Sequence, residues 1–175
     1  MRRRSDSDDL YFVTLTIVGW VDVFTRSIYK RYLAENISFC QDQKGLDLYK
    51  YVIMSNHVHM IARMRDNKRM DNFLRDFKSF TSKGLYDLIC NEDVESRKHW
   101  MFAVFRSAGM ANPDNKDFQI WQIGSHPVIL STNEMIDQKA EYIENNPVKS
   151  GFVKAPEAYI YSSACERSPV KCLEL

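Results

Sequence analysis

The sequence predicts an α+β fold: a central antiparallel β-sheet with flanking α-helices. Two observations lead there. Short runs rich in β-branched residues alternate with longer stretches of helical spacing, and two strand candidates are separated by only two polar turn-formers, which requires an antiparallel pair. Nothing divides the 175 residues, since no internal repeat, low-complexity tract or Pro/Gly/Ser linker interrupts them. A domain usually takes ~100–200 residues. Residues 1–175 are read as a single domain, with a flexible charged lead-in over 1–10 and a C-terminal tail over 165–175.

The elements follow in chain order. Residues 12–18, Phe-Val-Thr-Leu-Thr-Ile-Val, form a strand candidate. Helical spacing occupies 24–40, with Ile28, Tyr32 and Ile37 on or near one side. Strand candidates 48–54 and 57–64 flank Ser55-Asn56, which predicts a tight hairpin. Met70, Phe73, Leu74, Phe77, Thr81 and Leu85 repeat at i, i+3, i+4, so 69–91 is a long amphipathic helix. Over 92–117 a short helix through Trp100 and a polar loop around residues 112–115 are expected, and 118–122 alternates like a strand. Ser131 starts the last helix, Glu134 completes a capping box, and Asn146-Pro147 marks its end.

Composition narrows the class. The chain is 45% hydrophobic and 27% charged, too apolar for wholesale disorder. Its formal net charge of +1 gives no general support to nucleic-acid binding but leaves room for a local basic face. The most apolar stretch, 11–24, carries Thr14, Thr16 and Asp22 and falls short of the ~20 residues of a spanning helix, so no membrane association is expected. No apolar segment follows the Arg2-Arg3-Arg4 run directly, so no export signal is expected. Cys40, Cys90, Cys165 and Cys172 are scattered without a C-x-x-C pair, which favours free thiols in a reducing, cytoplasmic setting over disulfides or a zinc site.

Two features carry chemistry. In Ser55-Asn56-His57-Val58-His59-Met60, strand alternation sends His57 and His59 to one face and Val58 and Met60 to the other. Two imidazoles about 7 Å apart at Cα can converge on one divalent ion; a pair of half-exposed strand histidines without a ligand is the competing reading. In the last helix Tyr142 and Asn146 lie four residues apart, so phenol and carboxamide emerge side by side. Alone, that pair also fits an aromatic packing residue beside a helix end. Together, two imidazoles, an amide oxygen and a phenol suit phosphoryl transfer through a covalent tyrosine.

The residues then resemble a family. The run 52–61, Val-Ile-Met-Ser-Asn-His-Val-His-Met-Ile, resembles the HUH signature of single-tyrosine transposases. The run 142–151, Tyr-Ile-Glu-Asn-Asn-Pro-Val-Lys-Ser-Gly, resembles the tyrosine helix of their REP-associated branch. Trp121-Gln122, His126-Pro127 and 159–164, Tyr-Ile-Tyr-Ser-Ser-Ala, match that branch in order, and the likeness spans about 12–164. Ser150 stands where Ala is more usual.

The resemblance implies the HUH endonuclease fold, related to the ferredoxin-like fold. It implies a metal-dependent single-stranded DNA endonuclease and strand transferase that acts at hairpin-bearing DNA, forms a 5′-phosphotyrosine and releases a 3′-hydroxyl. Carried over by position, Tyr142 is the nucleophile, and His57 and His59 are ligands of a divalent metal, Mg or Mn. Asn146 matches the third ligand, which is Gln in other branches and reaches one methylene further. Dimers and monomers both occur among such proteins, so a homodimer is one open arrangement. A domesticated DNA-hairpin binder without catalysis is the alternative; it would not need all four residues. A metallohydrolase using water would want a carboxylate beside the histidine pair, and none flanks it.

For the DNA, residues 63–83 hold seven basic and three acidic side chains, a segment charge of +4. Arg69, Arg75, Lys78, Ser79 and Lys83 are the candidates for phosphate contact, against the plainer reading of a solvated helix face. Trp121 is a candidate base-stacking ring or a core residue, and Arg2-Arg3-Arg4 a candidate phosphate-binding arm or an ordinary terminus.

Overall fold

Alternation along the strands separates two chemically different sheet faces. The computed structural model describes residues 9–91, 95–113, 117–124 and 126–175; the Arg2-Arg3-Arg4 run lies outside them. In β1 (Tyr11–Thr16) and β3 (His57–Met64), Val13, Leu15, Val58, Met60 and Ala62 enter the main core, whereas Phe12 and Ile61 enter a smaller second cluster. Period-2 geometry puts Thr14, His57 and His59 on the same side as Phe12. β3 pairs antiparallel with β1 and with β2 (Leu46–Ile53), and β4 (Val128–Ile129) completes the order β2-β3-β1-β4.

The hairpin at Ser55-Asn56 forms as expected, with Met54 N donating to His57 O at 2.8 Å. A bulge between Leu48 and Lys50 keeps Leu48 and Tyr51 both in the main core and turns Lys50 toward the histidine face. The segment after the last helix returns along the outer edge of β2. There Val52 bridges Ser162, and Leu173 N donates to Leu48 O at 2.8 Å. A covered edge leaves fewer backbone groups for unwanted strand pairing.

Helices cover both faces. α1 (Ser27–Gln43) and α2 (Met70–Asn91) bury their apolar stripes in the main core. The α1 stripe is Tyr29, Leu33, Ile37 and Cys40, with Ile28 and Tyr32 flanking it. α4 (Asn133–Lys149) covers the second face, inserting Ile143 among Phe12, Val52, Met54 and Ile61. Among the described residues no helix is long and apolar enough to cross a membrane.

Several expected boundaries move. The first strand stops at Thr16 and gives way to 3-10 turns over Val18–Trp20 and Val23–Thr25, so α1 begins at Ser27 rather than at 24. The short helix expected through Trp100 is a full helix, α3 (Lys98–Met110), held by Met101, Phe105 and Gly109 at i, i+4, i+8. Residues 118–122 form no strand and make one bridge, Ile17 to Trp121. The last helix is capped by Thr132 rather than Ser131: Thr132 Oγ1 accepts from Met135 N at 3.3 Å. It also runs past Pro147 to Lys149. A proline this close to the end costs one hydrogen bond rather than a ladder, and Gly151 at φ 75° then supplies the left-handed residue that stops the helix.

Candidate active site

The register of β1 against β3 builds the site. Thr14 lies opposite His59, and their side chains meet at 2.9 Å through Thr14 Oγ1 and His59 Nδ1. The His57 and His59 rings are 4.7 Å apart at their centroids. His57 Nδ1 lies 2.7 Å from Asn56 Oδ1, and Asn56 Nδ2 donates to Trp20 O at 3.3 Å. The second bond fixes which way the amide points, so Oδ1 must accept and His57 Nδ1 must carry the proton. Both Nδ1 atoms are thereby engaged, and each Nε2 is left as the ring's other coordinating atom, the arrangement that orients metal-binding histidines.

Burial keeps the rings neutral. It pulls the His57 imidazole below its ordinary value. His59, 5% exposed, is pulled down to about 3 by burial, by His57 and by Lys139. A neutral imidazole has the lone pair that a metal needs.

α4 brings the phenol. Ile136, Ala140 and Ile143 face the second cluster, and Lys50 Nζ pairs with Glu144 at 2.5 Å, which ties the helix to β2. One step around the helix, Tyr142 projects to His59, with ring centroids 5.1 Å apart and planes at 68°. Phe12 stacks on His59 at 5.3 Å and meets Tyr142 edge-on at 6.1 Å, walling the apolar side. Tyr142 is 38% exposed, so its hydroxyl is reachable, whereas Asn146 is 7% exposed. The Asn146 carboxamide makes no hydrogen bond to the described residues, and its polar atoms are not sealed from solvent.

The structure therefore brings His57, His59 and Tyr142 together, with Asn146 one turn along the same helix face. No group of three His, Cys, Asp or Glu residues capable of holding a metal occurs among the described residues. The donors present are two imidazoles and an amide oxygen, which fit a divalent ion with open positions.

The basic candidates on α2 and just before it lie elsewhere. α2 packs against the opposite sheet face, and Lys78 turns inward to donate to Gln122 O at 2.6 Å, with burial pulling its amine down to about 8. Arg69 pairs with Asp71 at 3.2 Å, Arg75 pairs with Asp76 at 2.9 Å, and Ser79 and Lys83 are exposed. Trp121 is a core residue, 3% exposed, with Nε1 donating to Thr81 Oγ1 at 2.9 Å. Sequence reasoning missed Thr14, Asn56 and Lys139. Lys139 lies three residues before Tyr142, a helical spacing that could have marked it; Thr14 needed the strand register.

Comparison with known proteins adds the following. The family model described as "Transposase IS200 like" matches residues 13–103, a stretch that contains both histidines but not Tyr142. No curated protein sequence matches the chain. A solved structure of a REP-associated tyrosine transposase bound to a REP hairpin is similar, with TM-score 0.61 and 17% identity, over 93% of this chain and 80% of that one. A candidate transposase of Deinococcus radiodurans R1 aligns with TM-score 0.44 and 15% identity, over 83% of this chain and 96% of that one.

Proposed function

The chain belongs to the IS200-like transposase family, and from that premise we propose that it is a metal-dependent single-stranded DNA endonuclease and strand transferase. Tyr142 is the nucleophile, and His57, His59 and Asn146 hold a divalent ion, Mg or Mn. The observation that carries this reading is the meeting of the phenol and His59 rings at 5.1 Å on one sheet face, reached by one chain's own residues. The substrate is hairpin-bearing single-stranded DNA, in keeping with the REP hairpin held by the similar transposase.

The chemistry follows from the placement. As the Tyr142 Oη–P bond forms, the bond from phosphorus to the 3′ oxygen breaks; the phenol proton leaves to solvent and the 3′ oxygen is protonated to a hydroxyl. One phosphodiester replaces another, so a later 3′-hydroxyl can rejoin the strand without ATP. A bound divalent ion would polarise a non-bridging oxygen and offset the charge that develops there. Asn56 and Thr14 hold the imidazoles in orientation, and Phe12 closes the apolar wall. Arg69, Arg75 and Lys83 serve as backbone contacts for the flanking DNA; Lys78 is the least available of the four because its ammonium is engaged by Gln122.

The test is covalent capture. With Mg²⁺ or Mn²⁺, the protein is expected to form a denaturation-resistant adduct with hairpin-bearing single-stranded DNA. Tyr142→Phe is expected to bind the same DNA without forming the adduct. Cleavage that persists in Tyr142→Phe would make water the nucleophile.

A further inference from the structure

Two lysines at the site have no carboxylate within salt-bridge distance among the described residues. Lys139, Tyr142, Asn146 and Lys149 recur along α4 at spacings of three, four and three, which is one face of a helix. Lys139 Nζ lies 4.7 Å from the Phe12 ring centroid and 5.6 Å from that of Tyr142; Lys149 Nζ lies 5.9 Å from the Tyr142 ring. Among the described residues neither lysine is within salt-bridge distance of a carboxylate, and Glu144 on the same helix is engaged by Lys50. The phenol thus lies between two ammonium groups, beside two neutral imidazoles and an amide.

Ordinary surface electrostatics accounts for only one of these. Lys149 occupies the last turn of α4, where the helix dipole favours a cation. Lys139 is mid-helix and gains nothing from the dipole. It is also half-buried, with its ammonium over the Phe12 and Tyr142 rings. A charge-assisted hydrogen bond to an anion would add to these ring contacts. An anion held beside the phenol would give Lys139 such a bond.

We propose that Lys139 and Lys149 form a phosphate clamp around Tyr142, in which Lys139 donates directly to a non-bridging oxygen of the phosphate that Tyr142 attacks. Lys139 is then a catalytic residue, since its contact strengthens as negative charge grows on that oxygen in the transition state. Lys149 is the outer arm, exposed and holding the DNA against the helix. The assignment of the phosphate as scissile rests on Tyr142 being the nucleophile; the anion site itself does not.

Inorganic phosphate is the probe, titrated into metal-free protein while the ring signals of His57, His59 and Tyr142 are followed by NMR. The wild type is expected to bind phosphate at these rings. Lys139→Ala and Lys139→Gln should weaken that binding by about tenfold or more, and Lys139→Arg should stay within about threefold. Lys30→Gln, which removes a lysine lying over Tyr159 and Tyr161, should change nothing. Equal phosphate affinity in wild type and Lys139→Gln, or no response in the wild type, overturns the clamp. In single-turnover adduct formation with Mg²⁺, Lys139→Gln should be slower by about tenfold or more at unchanged Tm, with Lys139→Arg restoring the rate. An adduct that forms on Tyr142 at an equal rate in Lys139→Gln overturns the clamp and leaves the nucleophile assignment standing. Lys139-dependent phosphate binding without any adduct in the wild type does the reverse.

Discussion

Asn56→Ala tests whether the imidazoles are oriented for coordination. The substitution removes two hydrogen bonds at once, the 2.7 Å contact to His57 Nδ1 and the 3.3 Å contact to Trp20 O. Loss of an outer-shell partner of a metal-binding histidine typically costs ~10–100-fold in affinity. His57 is half-buried and water can replace part of the lost partner, which places Asn56→Ala near the low end, about tenfold or ~1.4 kcal/mol. Thr14→Val should cost more, because His59 is 5% exposed and water has little access to Nδ1. Asn56→Asp separates the two bonds: its carboxylate still accepts from His57 Nδ1–H but cannot donate to Trp20 O, so metal affinity should be retained. Mn²⁺ titration followed by electron paramagnetic resonance gives the affinities, and ¹⁵N shifts of the metal-free protein give the His57 tautomer. An Asn56→Ala protein with wild-type Mn²⁺ affinity and an unchanged tautomer would refute the reasoning.

Three further outcomes concern the frame around the site. A Cβ at Gly109 would lie 2.7 Å from Phe118 Cα and 2.8 Å from its N, backbone that cannot swing aside, so Gly109→Ala should destabilise by about 3 kcal/mol in denaturant unfolding. Burial pushes the Glu95 carboxyl up, but hydrogen bonds from Arg97 and Arg26 outweigh it and hold the group at about 2. A depressed folded-state value means stability present above the ordinary 4.5 and lost as pH falls toward 2, so Tm should fall across that window and fall less in Glu95→Gln. Arg75→Ala with Lys83→Ala should reduce the salt slope of single-stranded DNA binding by about 1.4, at ~0.7 per phosphate contact; an unchanged slope would take α2 out of the DNA path.

The histidine face was legible in the sequence because a period of two leaves no choice: if His57 points one way, Val58 and Met60 point the other. The Tyr142–Asn146 pair was legible for the same kind of reason, a spacing of four on a helix. What local spacing cannot supply is which sheet face a helix covers. The basic residues of α2 and the phenol of α4 both read as DNA-facing, yet the two helices pack on opposite sides of the sheet, and Lys78 is drawn to a backbone carbonyl. Thr14 illustrates the second limit, since its contact with His59 exists only through a strand register fixed by tertiary packing. β4 is two residues long and owes its existence to pairing with Tyr11 and Phe12 rather than to propensity. α3 outran its expected end because Met101, Phe105 and Gly109 form a stripe that pays off only once Phe118 lies against it.

The central claim is chemical, and mass spectrometry of the trapped protein–DNA adduct addresses it most directly. After nuclease and protease digestion, the nucleotide remnant should be found on the peptide containing Tyr142, linked through its 5′ phosphate, and only when divalent metal was present. A remnant on any other residue, or cleaved DNA ending in a free 5′ phosphate with no modified peptide, would contradict the account.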